Sequence, residues 1–463
     1  MPDSARALAY HAEHARRYRD DLESLIRIPS VSSRAHPAGE LRRSAEAVAA
    51  LLAERGLERV DVLEVPGAHP YVYGERLRDP SAPTILLYAH HDVQPAGDEE
   101  AWTSPPFEPA ERGGRLYGRG AADDKAGVVV HAAAVESWVR GGGELPLNVR
   151  VLIEGEEEIG SPHLRDFLRR HRSRLDADVL VLMDTGNVDT GLPCLTVALR
   201  GLVTMEVEVR ALERALHSGI WGGPVPDPAL ALAAMLSALV RPDGSVSFLG
   251  GVEPARSLTE IERSGLARLP EARELFRSKA GMLQGVQLLG AGHPCATSWY
   301  RPSLTVDALQ ASTRDGARSV INSGAWARLG MRLVHGMSPS DIAEQLATAL
   351  RRAAPWGVQV DLEVVELIAP WATDTTHPAF AAALRALEKG YGREALAIGC
   401  GGSIGFVEAF AHELGGAPVL LIGVEDPRSN AHAEDESVDV ADFEKATQSA
   451  IHLYAELANA LRT

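Results

Sequence analysis

The chain has 463 residues, 45% of them hydrophobic and 24% charged, which suits a soluble globular protein with room for more than one domain. Its formal net charge of −17 argues against generic binding to nucleic acid or to an anionic membrane, because no excess of Lys and Arg supplies the attracting field. No apolar run reaches the ~18 residues of a membrane span.

The opening stretch, MPDSARALAYHAEHARRYRDDLE, has no continuous apolar segment and predicts an amphipathic helix, not a secretion signal. Further on, TILLYA (84–89), LNVRVLI (147–153) and DVLVLM (178–183) predict buried strands, as does PVLLIGV (418–424) near the end. Helical patterns at 124–140 and 161–174 lie among them. Buried strands alternating with helices predict a largely parallel α/β sheet.

The middle of the chain is patterned differently. TMEVEVR (204–210) alternates, DPALALAAMLSALV (227–240) is helical and SLTVDAL (303–309) reads as a strand. WARLGMRLV (326–334) puts Ala327, Leu329, Met331 and Leu333 on one face. SPSDIAEQLATALRRA (338–353) predicts a helix capped by Ser338, with Pro339 in its first turn. VQVDLEVVE (358–366) alternates again. The order β-α-β-β-α-β predicts a ferredoxin-like sandwich inserted into the α/β domain. The expected division is 1–199 and 371–463 for the first domain, and 200–370 for the insert. Residues 241–302 show no regular pattern. Cys194, Cys295 and Cys400 are too scattered for a disulfide framework or a zinc-thiolate site, which points to a reducing, cytoplasmic setting.

The chemistry lies just after the apolar runs. TILLYA is followed by His90, His91 and Asp92, and LNVRVLI by Glu154, Glu156, Glu157 and Glu158. DVLVLM is followed by Asp184, and PVLLIGV by a loop with His432. In an open α/β sheet, ligands bind beyond the carboxyl ends of the strands. GRGAADDKAG (118–127) adds Asp123 and Asp124 where a helix begins. One acid or histidine at a strand end is ordinarily structural or solvated, but so many on one edge need a counter-charge. Imidazole and carboxylate donors suit zinc, manganese or cobalt. Two such ions would polarise a carbonyl and activate a water. One acid of EGEEEIGS would then ligate metal while its neighbour serves as general base. Asp92, two residues from His90, projects to the same side and would fix its ring. His91 points the other way and reads as structural. Glu156 has no assigned role, so its replacement is expected to be nearly neutral.

AHHDVQPAG, LYGRGAADDKAG, IEGEEEIGS, VLMD, LHSGIWGG, MRLV, GGSIG and AHAEDES, in this order, resemble the di-zinc metallopeptidases of the carnosinase and cytosolic non-specific dipeptidase type. Acetylornithine deacetylases, succinyl-diaminopimelate desuccinylases and aminoacylases are wider relatives. The resemblance spans nearly the whole chain. It implies a parallel-sheet catalytic domain interrupted by a ferredoxin-like lid that also makes a homodimer. It makes Asp123 the ligand shared by two divalent ions, zinc first and manganese or cobalt as alternatives. His90 and Asp184 complete one site, and Glu158 and His432 the other. Glu157 is the general base. His217 stabilises the oxyanion from the partner subunit, Arg332 grips the carboxylate of a small peptide, and Ser319 and Ser403 add contacts. GCGGSIG (399–405) departs from the usual REGGSIP: Cys400 replaces a glutamate expected near the substrate's amino group, and Gly405 a proline. Asn322 and His335 also stand where prolines are usual. These departures bear on recognition of a free amino terminus, not on hydrolysis.

Three other readings compete. A deacylase of N-acyl amino acids, or a carboxypeptidase, needs the metals and Arg332 but no amino-group anchor. Gly401-Gly402-Ser403-Ile404-Gly405 also fits the G-x-S-x-G elbow of serine hydrolases, with Asp426 and His432 following in the right order. That reading leaves the earlier acids and His90 unexplained. A non-catalytic binding protein would not need the complete ligand set and Glu157.

Overall fold

The computed structural model describes residues 4–33, 36, 38–249, 258–269, 273–290 and 292–462. The chain forms two compact units, one of 1–197, 373–398 and 406–463, the other of 198–372 and 399–405. The strands that bear on the site are β1 (Arg59–Leu63), β2 (Tyr71–Arg76), β3 (Thr84–His90), β4 (Asn148–Glu154), β5 (Val179–Met183), β6 (Cys194–Leu199), β7 (Gly201–Arg210), β8 (Ser303–Gln310), β9 (Gly324–Leu333), β10 (Gln359–Ile368), β11 (Leu396–Cys400) and β12 (Val419–Ile422).

In the first unit the strand order is β1-β2-β4-β3-β5-β12-β6. The central neighbours β4, β3, β5 and β12 run parallel. β1 and β2 add an antiparallel edge, and β6 pairs antiparallel with β12. The apolar runs predicted this. In β3 and β4 only Thr84 and Arg150 escape full burial, and β5 and β12 are buried throughout, as a parallel sheet covered on both faces requires. The helix Lys125–Glu136 is buried along its whole length. Pairing sets His90 opposite Glu154, Tyr88 opposite Leu182, and Ile422 opposite Met183. The carboxyl ends of four strands are therefore level, and the segments that leave them open on one edge.

The second unit has the antiparallel order β8-β9-β7-β10. Ala327, Leu329, Met331 and Leu333 are buried as the alternation predicted. They pack with Leu232 and Met235 of the helix Pro228–Ala238, and with Leu346 and Leu350 of the helix Pro339–Ala353. The Asp227 side chain caps the first helix, and Ser338 the second. Strands and helices alternate as in a ferredoxin-like sandwich. Where the sequence showed no pattern, the short helices Glu260–Arg268, Arg273–Lys279 and Pro294–Tyr300 form. Within that stretch 250–257, 270–272 and 291 lie outside the described residues. Among the described residues no helix is long and apolar enough to cross a membrane.

The units differ from the expected division at 399–405, which the sequence had grouped with 371–463. The cause is hydrogen bonding to segments far away along the chain. Arg200 donates from its backbone N to Gly402 O at 3.2 Å and from Nε to Gly401 O at 3.0 Å. Arg332 donates from Nη1 to Ser403 Oγ at 2.8 Å.

Candidate metal centre

His90 ends β3 and Glu154 ends β4 beside it. Asp184 follows β5, and the loop bearing His432 follows β12. Asp123 lies just before the helix Lys125–Glu136, which seats closely on the sheet. A Cβ at Gly127 would fall 2.3 Å from Asp124 Oδ1 and 2.7 Å from Met183 O, so only glycine permits this approach.

The two carboxylate oxygens of Asp123 face different partners. Oδ1 is 2.9 Å from His90 Nε2, which lies 3.9 Å from Asp184 Oδ1. Oδ2 is 2.9 Å from His432 Nε2, which lies 3.1 Å from Glu158 Oε2. The five residues expected to hold metal thus meet around one carboxylate. His90 Nδ1 is 3.0 Å from Asp92 O and 3.4 Å from Asp92 Oδ1. Asp92 also accepts from the backbone N–H groups of Glu157 at 3.2 Å and Glu158 at 3.0 Å. It therefore ties His90 to the turn bearing both acids. Gln94 braces Glu158 through its backbone N at 3.0 Å and its Nε2 at 2.8 Å.

Charge is poorly balanced here. Burial resists a positive charge on His90, yet Asp123 and Asp92 hold its pKa well above the imidazole range. His432 is pushed up to about 11 by Asp123 and Glu158. Burial and neighbouring acids drive Glu157 and Asp184 far above the carboxylate range. The nearby cations are engaged elsewhere. Lys125 Nζ donates to Leu25 O and Ile28 O, and burial lowers its pKa to about 7. Arg119 pairs with Glu436 and Arg115 with Asp426. The cluster is short of positive charge, and its donors are imidazole nitrogen and carboxylate oxygen. Both features fit divalent metal.

One sequence expectation changes, one rival reading loses its basis, and two acids were missed. Glu156 is not idle: it is buried, and accepts from Tyr71 Oη at 2.7 Å, His163 N at 3.0 Å and His69 N at 3.3 Å. The serine-hydrolase reading has no triad, because Asp426 binds Arg115 and Thr190 while His432 faces Asp123 and Glu158. Glu436 went unremarked, yet it accepts from the backbone N of Gly120 at 3.0 Å, Ala122 at 2.9 Å and Asp123 at 3.1 Å, and so fixes the loop that presents Asp123. Nothing in AHAEDES distinguishes Glu436 from Glu434. Glu425 was also missed, although it follows β12 as Asp184 follows β5. Its carboxylate lies beside Asp123 and Asp184.

The remaining expected residues belong to the second unit. Arg332 and Ser403 are joined by their side-chain hydrogen bond. His217 is exposed, and its Nδ1 accepts from Gly219 N at 3.1 Å. Leu216–His217 pairs with Val320–Ile321, and Ser218 N donates to Ser319 O at 3.0 Å, so His217 and Ser319 share one small element.

Comparison with known proteins agrees with this geometry. Residues 86–456 match the Peptidase family M20/M25/M40. The cysteinylglycine-S-conjugate dipeptidase of Corynebacterium striatum is 35% identical over 428 residues, 92% of either chain. The Cys-Gly metallodipeptidase of Schizosaccharomyces pombe is 29% identical, over 87% of this chain and 86% of that one. Among solved structures, human carnosine dipeptidase 1 aligns over 99% of this chain and 100% of its own, with a TM-score of 0.83 and 25% identity. The metallo-carboxypeptidase Sso-CP2 of Sulfolobus solfataricus aligns over 96% and 99%, with a TM-score of 0.81 and 27% identity. Fold and site together define a metal-dependent hydrolase of amide bonds. The chain belongs to the peptidase family M20/M25/M40.

Proposed function

We propose that the protein hydrolyses the peptide bond of dipeptides with two divalent ions, zinc by first choice. His90, Asp123 and Asp184 would hold one ion, and Asp123, Glu158 and His432 the other. The observation that carries this is Asp123, whose two oxygens face two separate sets of donors. When bound, the ions would polarise the scissile carbonyl and make water acidic enough to attack at neutral pH. Glu157 takes a proton from the attacking water as its oxygen bonds to the carbonyl carbon. As the C–N bond breaks, Glu157 returns that proton to the departing amine. Asp92 positions Glu157 by accepting its backbone N–H. Arg332, steadied by Ser403, binds the substrate carboxylate, with Ser319 as a further contact.

Two features extend this reading. His217 would stabilise the oxyanion from the partner subunit of a homodimer built on the second unit. The exposure of Ile220, Trp221 and Leu230 on that unit supports a protein interface there. None of the three cysteines is in a disulfide, which supports a cytoplasmic setting, checkable by cell fractionation.

Cys400 favours a second reading, an N-acyl-amino-acid deacylase or carboxypeptidase, since it brings no charge to pair with an ammonium group. The dipeptide reading predicts turnover of free dipeptides, with amino-end selectivity relaxed by Cys400. Assaying one dipeptide free and N-acetylated decides between them. Cleavage of the free form, with the acetylated form tolerated, supports the proposal; hydrolysis of the acetylated form alone contradicts it.

A further inference from the structure

Glu425 lies outside the five expected ligands, yet the fold delivers it to them. β12 ends at Ile422, and the chain then passes so close to the segment after β5 that a Cβ at Gly423 would lie 1.6 Å from Thr185 O. Parallel pairing continues beyond the strands, with Gly186 opposite Glu425 and Asn187 N donating to Glu425 O at 2.7 Å. Glu425 is thereby fixed alongside the residues just past Asp184.

The next residue shows that this placement is selective. Asp426 is bound by Arg115 at 2.8 and 3.1 Å and by Thr190 Oγ1 at 2.6 Å. Glu425 is directed elsewhere: a carboxylate oxygen from each of Asp123, Asp184 and Glu425 lies within 4.8 Å of the others. Among the described residues no hydrogen bond or ion pair reaches the Glu425 carboxylate. Nearby, Asp124 Oδ1 is buried without a partner, within a further group formed with His90 and Asp184. Oxygens around one zinc-sized ion, each about 2.0–2.2 Å from it, lie up to ~4.4 Å apart. The three oxygens of the Glu425 group, all within 4.8 Å of one another, could close on such an ion with a small shift.

We infer that Glu425 is a further metal-binding carboxylate, on the side of the centre held by His90 and Asp184. The inference rests on the two-metal reading. It gives that position three carboxylates to one imidazole, a donor set that shifts preference towards manganese relative to the position held by Glu158 and His432.

The test is direct titration of metal-free protein with Mn²⁺ and, separately, Zn²⁺, for the wild type and for Glu425→Gln and Glu425→Asp. In Glu425→Gln, manganese affinity at one of two positions should fall by at least ~10-fold, the scale on which groups supporting a metal matter. Zinc should be lost less, and Glu425→Asp should recover part of the manganese affinity. Thermal melting of each metal-free variant checks folding. If the wild type binds two ions and both variants match it, this inference falls while the two-metal reading stands. If the wild type binds none, the two-metal reading falls first. Unchanged metal with a raised KM for free dipeptides also overturns the inference, because Glu425 would then face the substrate's ammonium group.

Discussion

Glu154, Glu156, Glu157 and Glu158 carry one functional group, and their neighbours give them different work. Glu154 ends β4 under the hydroxyls of Tyr88 at 2.8 Å and Tyr71 at 3.4 Å, and burial pushes its pKa up to about 8. Glu156 holds the adjoining loops through Tyr71, His69 and His163. Glu157 and Glu158 sit in the next turn, with backbone N–H groups pinned by Asp92. Glu156→Ala should therefore unfold more easily, because it strands several buried donors at about 1–3 kcal/mol each. Urea denaturation should show a loss of about 2–4 kcal/mol. A change within ~0.5 kcal/mol, as at ordinary surface sites, would restore the idle reading. The sequence could not show this, because two of the partners of Glu156, His69 and Tyr71, lie far away along the chain.

At the scale of elements, apolar patterning carried most of the fold. The parallel strands were visible because a strand covered on both faces is apolar throughout, and the ferredoxin-like unit because its strands alternate. Their shared edge made the His, Asp and Glu residues that follow the strands legible as one group, and the resemblance to the metallopeptidases singled out His90, Asp123, Glu158, Asp184 and His432 among them. The less legible parts depend on contacts between segments far apart in sequence. Residues 399–405 follow the second unit because Arg200 captures two of their carbonyls, which no local pattern announces. The helices between 260 and 300 are short, and Glu260–Arg268 relies on the capping box of Thr259 and Glu262, not on a long apolar stripe. Glu425 obeyed the same strand-end rule as Asp184. It went unremarked beside His432, the candidate ligand later in that loop.

At the scale of the whole molecule, assembly and chemistry are tested by different variants. If His217 acts from a partner subunit, mixing His217→Ala with Glu157→Gln under subunit exchange restores one complete site in each mixed dimer. That site should recover up to about half the turnover of a wild-type dimer, whereas no recovery despite proven exchange places His217 within its own chain or outside catalysis. The proposed chemistry requires a metal centre whose ligands are held independently of Glu157, the proposed base. Glu157 braces none of the five ligands through a side-chain hydrogen bond among the described residues. The most direct measurement is therefore the metal content of purified Glu157→Gln alongside its turnover of a dipeptide. Two ions per chain should remain while turnover falls by roughly 10²–10⁴-fold, as expected for loss of a general acid–base group. Wild-type turnover by that variant, or its full activity without tightly bound metal, would contradict the assignment.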